Sequence, residues 1–182
     1  MHAALADLAA DSAVRVIVTT GAGESFSAGG DLAWMRAQAD SDRAGRMAEA
    51  RHFALMLRRL DQMPKPVVAR VNGPAYGGGI GMISVADIAI GADHCRFGLT
   101  EVRLGLIPAT ISPYVLARIG QAHARRWFIN GRFFDAATAQ GMGLLHEVVA
   151  ADDLDPDRKP LGCEPARDRD RGQTRHRHPV TR

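Results

Sequence analysis

The segment Asn72–Met82, NGPAYGGGIGM, constrains this chain more than any other stretch. It places five glycines, Gly73, Gly77, Gly78, Gly79 and Gly81, between an apolar run of strand character and an apolar run of helical character. Glycine inside regular structure costs roughly 0.5–1 kcal/mol relative to alanine. A cluster of this kind is tolerated where bare backbone has to approach something closely. Two phosphate-binding patterns fail on inspection. A Walker loop needs Lys followed by Ser or Thr after its glycines, and Gly78 is followed by Gly79 and Ile80. A dinucleotide fingerprint built on Gly77 and Gly79 would put its third glycine at Met82. A tight strand-to-helix turn remains, either for packing alone or for presenting backbone N–H groups.

Around this turn, strand and helix signals alternate. ALADLAA has helical spacing, and VRVIVTTG is a short β-branched strand stopped by Gly21. GAGESFSAGGDL reads as a loop, with a helix following from Asp31, which can cap it. RMAEARHFALMLRRLDQM repeats apolar residues at Met47, Ala50, Phe53, Ala54, Leu57 and Leu60, the period of a helix. PKPVVARVNG is a buried strand, GIGMISVA a helix, and DIAIGAD and CRFGLTEV are strands. SPYVLARIG, AHARRWFING and DAATAQGMG read as helices, two of them closed by glycine, and LLHEVV as a last strand. The alternation implies βαβ units, a mainly parallel sheet and an α/β fold class.

Composition narrows the function classes. At 182 residues and 46% hydrophobic, the chain can bury one core. It has no apolar run of 18 residues to span a membrane, and its N-terminus lacks the pattern of a secretory signal. Cys95 and Cys163 lie far apart without a CxxC pair, which argues for reduced thiols in a cytoplasm and against a zinc site. The net charge of +3 invites a nucleic-acid reading, but residues 1–154 are balanced and the excess lies in 155–182. That tail mixes acids into its arginines and has no interleaved aromatics for base stacking. It reads as disordered, since it has too few apolar residues to offset its ordering entropy. A shifted reading frame near Leu154 or a natural basic tail would both give this composition. The chain thus divides into a core, residues 1–154, and a tail, residues 155–182.

A second glycine-rich segment, FSAGGDL from Phe26 to Leu32, also leaves a strand and opens a helix. Two such turns can aim two backbone N–H groups at one point, and a pair of such donors is an oxyanion hole. No nucleophilic side chain is needed, and Ser27 and Ser112 lack a nucleophile-elbow context. The third segment is RFGLTEVRLGLIP, Arg96 to Pro108, where Glu101 stands in an apolar strand-turn. A glutamate there is either a surface carboxylate or a general acid/base, worth about 100- to 10,000-fold in rate.

In this order and spacing, the three segments resemble the crotonase (enoyl-CoA hydratase/isomerase) family, from about Val14 to Val149. FGLTEVRLGLIPATISPYV resembles the bacterial methylglutaconyl-CoA hydratases of leucine breakdown more than the general enoyl-CoA hydratases. The resemblance implies a crotonase-like spiral of ββα units, assembled as a homotrimer or hexamer in the cytoplasm. Its partner would be an acyl-CoA thioester, with coenzyme A as part of the substrate and no separate cofactor or metal. The N–H groups of Ala28 and Gly78 would hold the thioester oxygen, Glu101 would be the catalytic carboxylate, and Ala28, Gly29, Gly30, Asp31 and Gly78 would bind substrate.

The chain departs from the family pattern in two ways. Many hydratases of the family carry a second glutamate at the position of Gly81. Glu101 would then either activate water and return its proton to the α-carbon, or shuttle one proton between α- and γ-carbons as in an isomerase. The family's N-terminal strand pair and C-terminal helices are also not recognisable, so the spiral is expected to be incomplete at both ends. A non-catalytic acyl-CoA-binding remnant is the third reading. His94, His123 and His146 have no ligand spacing, Met35, Met56, Met82 and Met142 read as core fillers, and Arg125 and Arg126 as a solvated helix face.

Overall fold

The computed structural model describes residues 1–30 and 41–154. The helix expected from Asp31, with Met35, and the tail lie outside the described residues. A four-stranded parallel sheet is built from β1 (Ile17–Thr19), β2 (Val67–Val71), β4 (Ile88–Ala92) and β7 (Glu147–Val149), in that spatial order. Ile17 pairs with Val67, Val68 with Ile88, and Ile90 with Glu147. The continuous apolar run of β2 follows from its place inside the sheet, since strands covered on both faces lose alternation. Its Arg70 is partly exposed, and its guanidinium donates to the Leu154 carbonyl at 2.8 Å.

A second sheet, absent from the sequence reading, joins β3 (Ala75–Tyr76), β5 (Arg96–Gly98) and β6 (Phe133–Asp135). β3 runs parallel to β5, and β6 antiparallel to it. Strands of two or three residues are too short to show a period, so β3 and β6 leave no alternation to read. Two ring pairs brace them: Tyr76 lies against Phe133 at 5.3 Å between centroids, and Phe97 stacks on Phe134 at 5.5 Å.

Helices cover these sheets. α1 is His2–Ala10, α2 Arg43–Asp61, α3 Gly78–Ser84, α4 Ser112–Asn130 and α5 Ala136–Gly141. Asp42 caps α2 by accepting the Gly45 N–H at 2.7 Å, and Met56, Leu57 and Leu60 form its buried stripe. Gly120 breaks α4 at φ 75°, ψ 163°, where the sequence divides into two helical segments. Gly131 ends it at φ 57°, the left-handed conformation that glycine adopts without penalty. The core runs through Leu57, Val71, Ile80, Ile90, Phe97 and Leu144, all essentially solvent-free.

Asn72 and Gly73 fasten the first glycine-rich loop to the second. The Asn72 side chain accepts the Gly21 N–H at 2.9 Å and donates to the Gly23 carbonyl at 2.7 Å. A β-carbon on Gly73 would lie 1.8 Å from the Glu24 carbonyl oxygen, so only glycine fits there.

Candidate active site

The two glycine-rich turns lie side by side. Ser27 pairs with Ala75 as an isolated parallel bridge, its N–H donating to the Pro74 carbonyl at 3.1 Å. Its carbonyl accepts the Tyr76 N–H at 3.0 Å. The Ser27 side chain then packs on Gly79, where a β-carbon would be 2.5 Å from Ser27 Cβ. Each glycine of the second turn is bare for a different neighbour. Gly77 faces Glu101, Gly78 faces the tip of the Phe53 ring, Gly79 faces Ser27, and Gly81 faces Ile111.

Gly77 opens α3 at φ 50°, ψ −114°, and its N–H is used by the Gly98 carbonyl of β5 at 3.0 Å. The next N–H, that of Gly78, is first in the helix and has no acceptor within it. Among the described residues neither the Gly78 N–H nor the Ala28 N–H has a hydrogen-bond acceptor. Ala28 is exposed, and its neighbours Ser27 and Gly29 line the same cleft as Gly78. Gly30 lines that cleft too, whereas Asp31 lies outside the described residues.

The strand expected over CRFGLTEV ends at Gly98, and after Leu99 and Thr100 Glu101 begins a short 3-10 turn, Glu101–Leu104, so it stands in the turn that follows the strand. Its Oε1 would lie 2.9 Å from a β-carbon on Gly77, so the carboxylate rests against bare backbone beside Gly78. Its other oxygen, Oε2, is buried with no hydrogen-bond partner among the described residues. Burial pushes the carboxyl up from its ordinary value, and its own backbone N–H offsets part of that rise. A carboxylate held this way is a proton acceptor with an unused lone pair.

Two connected cavities meet at Phe53, Gly78, Ile107 and Thr110. The larger, 980 Å³, runs from the Ser27–Gly30 loop along α2. The smaller, 160 Å³ and open to solvent, is lined by Glu101 with Pro108, Ala109 and Ile111. Leu106 and Ile107, 53% and 80% exposed, form an apolar rim on the larger one. Sequence reasoning missed Phe53 and Ile111. Phe53 sits on the apolar stripe of α2 like any core residue, and nothing local to Ile111 marks it. Met56 and Met82, expected as core fillers, also line the larger cleft, while Met142 is core alone. Among the described residues no group of His, Cys, Asp and Glu could hold a metal ion, and no helix is long and apolar enough to cross a membrane. His146 instead uses Nδ1 to accept the Ala89 N–H at 2.9 Å. Arg125 and Arg126 are exposed, with the Arg126 guanidinium 4.7 Å from the centre of the Trp127 ring.

The family model described as enoyl-CoA hydratase/isomerase matches residues 1–160. The chain belongs to the enoyl-CoA hydratase/isomerase family. Its fold is that of the crotonases: an enoyl-CoA hydratase from Shewanella pealeana superposes with a TM-score of 0.83 at 40% identity, over 87% of this chain and 59% of that one. Pseudomonas aeruginosa AtuE superposes with a TM-score of 0.78 at 40% identity, over 84% and 60%. The enoyl-CoA hydratase AKT6-1 of Alternaria alternata is 35% identical over 136 residues, 75% of this chain and 44% of that protein. This family member spans about half the length of the curated relatives it matches, from 44% to 58%.

Proposed function

We propose that this chain carries the core of an acyl-CoA lyase that adds water across the double bond of a 2-enoyl-CoA thioester. The observation that carries the reading is the seat of Glu101. One carboxylate oxygen packs on Gly77, the other is buried and, among the described residues, unpartnered, and the Gly78 N–H, likewise unused among them, is the next along the chain. In this reading the thioester oxygen lies between the N–H groups of Ala28 and Gly78. Negative charge gathers on that oxygen as water adds to the β-carbon, and fixed N–H dipoles stabilise it without reorganising. Losing one such donor typically costs about 2.7–4 kcal/mol. Glu101 takes a proton from the water as its oxygen bonds the β-carbon, then delivers it to the α-carbon. The carboxylate ends as it began, so one group suffices. Gly29, Gly30 and Asp31 would border the coenzyme A portion, which is part of the substrate.

The finer reading, methylglutaconyl-CoA, requires a cation for the distal carboxylate. Among the described residues lining the larger cleft, Arg46 is the one arginine or lysine. A specific feature also fits an isomerase reading: among the described residues Glu101 is the sole carboxylate lining the smaller cavity, as a one-base proton shuttle needs. The assembly implied by the family, a trimer or hexamer, belongs to the same proposal.

The test is turnover of crotonyl-CoA and methylglutaconyl-CoA, followed by loss of the conjugated thioester absorbance, beside a β,γ-enoyl-CoA isomerisation assay. Hydration by the unmodified chain, lost by about 100- to 10,000-fold in Glu101→Gln with binding retained, is the expected result. Glu101→Gln turning over at the unmodified rate would overturn it.

A further inference from the structure

Two N–H groups can share one oxygen only if the loops that carry them are held at a fixed separation. The residue between the two loops is Ser27. Its backbone is committed on both sides, the N–H to the Pro74 carbonyl at 3.1 Å and the carbonyl to the Tyr76 N–H at 3.0 Å. Ala28 follows Ser27 directly, and Gly78 stands two residues after Tyr76. The route through the backbone from the Ala28 nitrogen to the Gly78 nitrogen therefore crosses a single hydrogen bond, that of the Ser27 carbonyl. Beyond that bond the two loops diverge, and the Ser27 side chain fills the gap between them.

A β-carbon on Gly79 would stand 2.5 Å from Ser27 Cβ and 2.9 Å from its Oγ, so Ser27 rests on bare backbone one residue past Gly78. The same position is 3.5 Å from Ala75 Cβ, which is fully buried behind it. Gly79 is buried and Ser27 half-buried, and a close-packed contact of this kind transmits a displacement instead of absorbing it. The hydroxyl contributes less: Ser27 Oγ accepts the Gly29 N–H at 3.5 Å, longer than a firm hydrogen bond. The spacing is therefore set by Cβ on Gly79. We propose that Ser27 is a positioning residue, whose small side chain seated on Gly79 sets the separation between the Ala28 and Gly78 N–H groups. This rests on the reading above, in which those two groups hold the thioester oxygen. A branched side chain at position 27 has to push the Ser27–Gly30 loop and the first turn of α3 apart. A misplacement of about 1 Å costs on the order of 100-fold in rate.

The experiment uses the full chain with Ser27 intact and as Ser27→Ala, Ser27→Thr and Ser27→Val. Infrared difference spectra of bound crotonyl-CoA, isotope-labelled at the thioester carbonyl, are taken in a Glu101→Gln background that prevents turnover. The carbonyl band reads how strongly the two N–H groups polarise that oxygen, whichever reaction follows. With Ser27 intact the band is expected below its free position, and Ser27→Ala, which keeps Cβ, holds it there. Ser27→Val moves the band back toward the free position and, with Glu101 present, lowers kcat by about 100-fold with KM little changed. A merely structural role would reduce the folded fraction and leave the band of the bound thioester in place. Ser27→Thr adds one methyl beside the hydroxyl, shifts the band in the same direction, and carries the test if the valine variant fails to fold. A band unmoved by branching, or displaced as far by Ser27→Ala, overturns the assignment of Ser27 and leaves the hydratase reading standing. A lowered band in a chain that does not hydrate crotonyl-CoA overturns the hydratase reading, and the response to branching then decides Ser27 alone. An unshifted band with Ser27 intact, or no binding, overturns both.

Discussion

Placing a methyl on Gly77 tests the contact on which the catalytic reading depends. In Gly77→Ala the new β-carbon would stand 2.9 Å from Glu101 Oε1, about half an ångström inside normal contact. The carboxylate or the start of α3 has to give way. Displacing a reacting group by about 1 Å costs on the order of 100-fold, so a shift of half that size predicts a fall in kcat/KM of about 10- to 100-fold. The same substitution forces an L side chain into φ 50°, ψ −114°, which costs roughly 1–3 kcal/mol of stability. Gly120→Ala separates the two effects. Gly120 also has a positive φ, 75°, but a β-carbon there meets nothing within 4 Å among the described residues. Both variants should lower the midpoint of a urea titration, and only Gly77→Ala should lose hydration rate beyond its unfolded fraction. Equal rates for the two would show that Glu101 does not depend on the bare Gly77 backbone.

Three further outcomes follow from other contacts. Because burial raises the Glu101 carboxyl, the acid limb of the pH–rate profile should lie above the ordinary glutamate range, with activity lost as pH falls through the raised value and the base protonates. Gly81→Ala should cost about 1–3 kcal/mol by overpacking against Ile111 Cγ2, and much of that cost should vanish in combination with Ile111→Ala; strictly additive losses in thermal unfolding would refute the contact. His146 is held below its usual pKa of 6.5, first by burial and then by the Arg118 charge, so its neutral form is the one the fold favours. Stability is then full above about pH 6.5 and declines as pH falls toward the lowered folded value, because the unfolded chain takes up the proton first. His146→Ala should flatten that decline while costing about 1–3 kcal/mol for the orphaned Ala89 N–H, both read from urea titrations across pH.

Much of the architecture is legible along the chain because it rests on local chemistry. The continuous apolar run of Val67–Val71 marks a covered strand, the 3.6-residue spacing of Phe53, Leu57 and Leu60 marks α2, and Gly131 can end a helix where a β-carbon would be strained. The glycines of Asn72–Met82 likewise announce a close approach. Their clustering alone requires that something come near this backbone, since no other residue type lacks a β-carbon. What comes near is set by the folded packing, and separately for each glycine. Glu101 reaches Gly77 from a turn 24 positions on, Phe53 reaches Gly78 from 25 positions back, and Ile111 reaches Gly81 from 30 positions on. β3 and β6 escaped for the same reason: a two- or three-residue strand has no period of its own and exists through its pairing with β5. Local preference fixes backbone conformation within a few residues. Which side chain fills a given void depends on how the sheets and helices close around it, and that packing is written in distances between segments far apart in the chain.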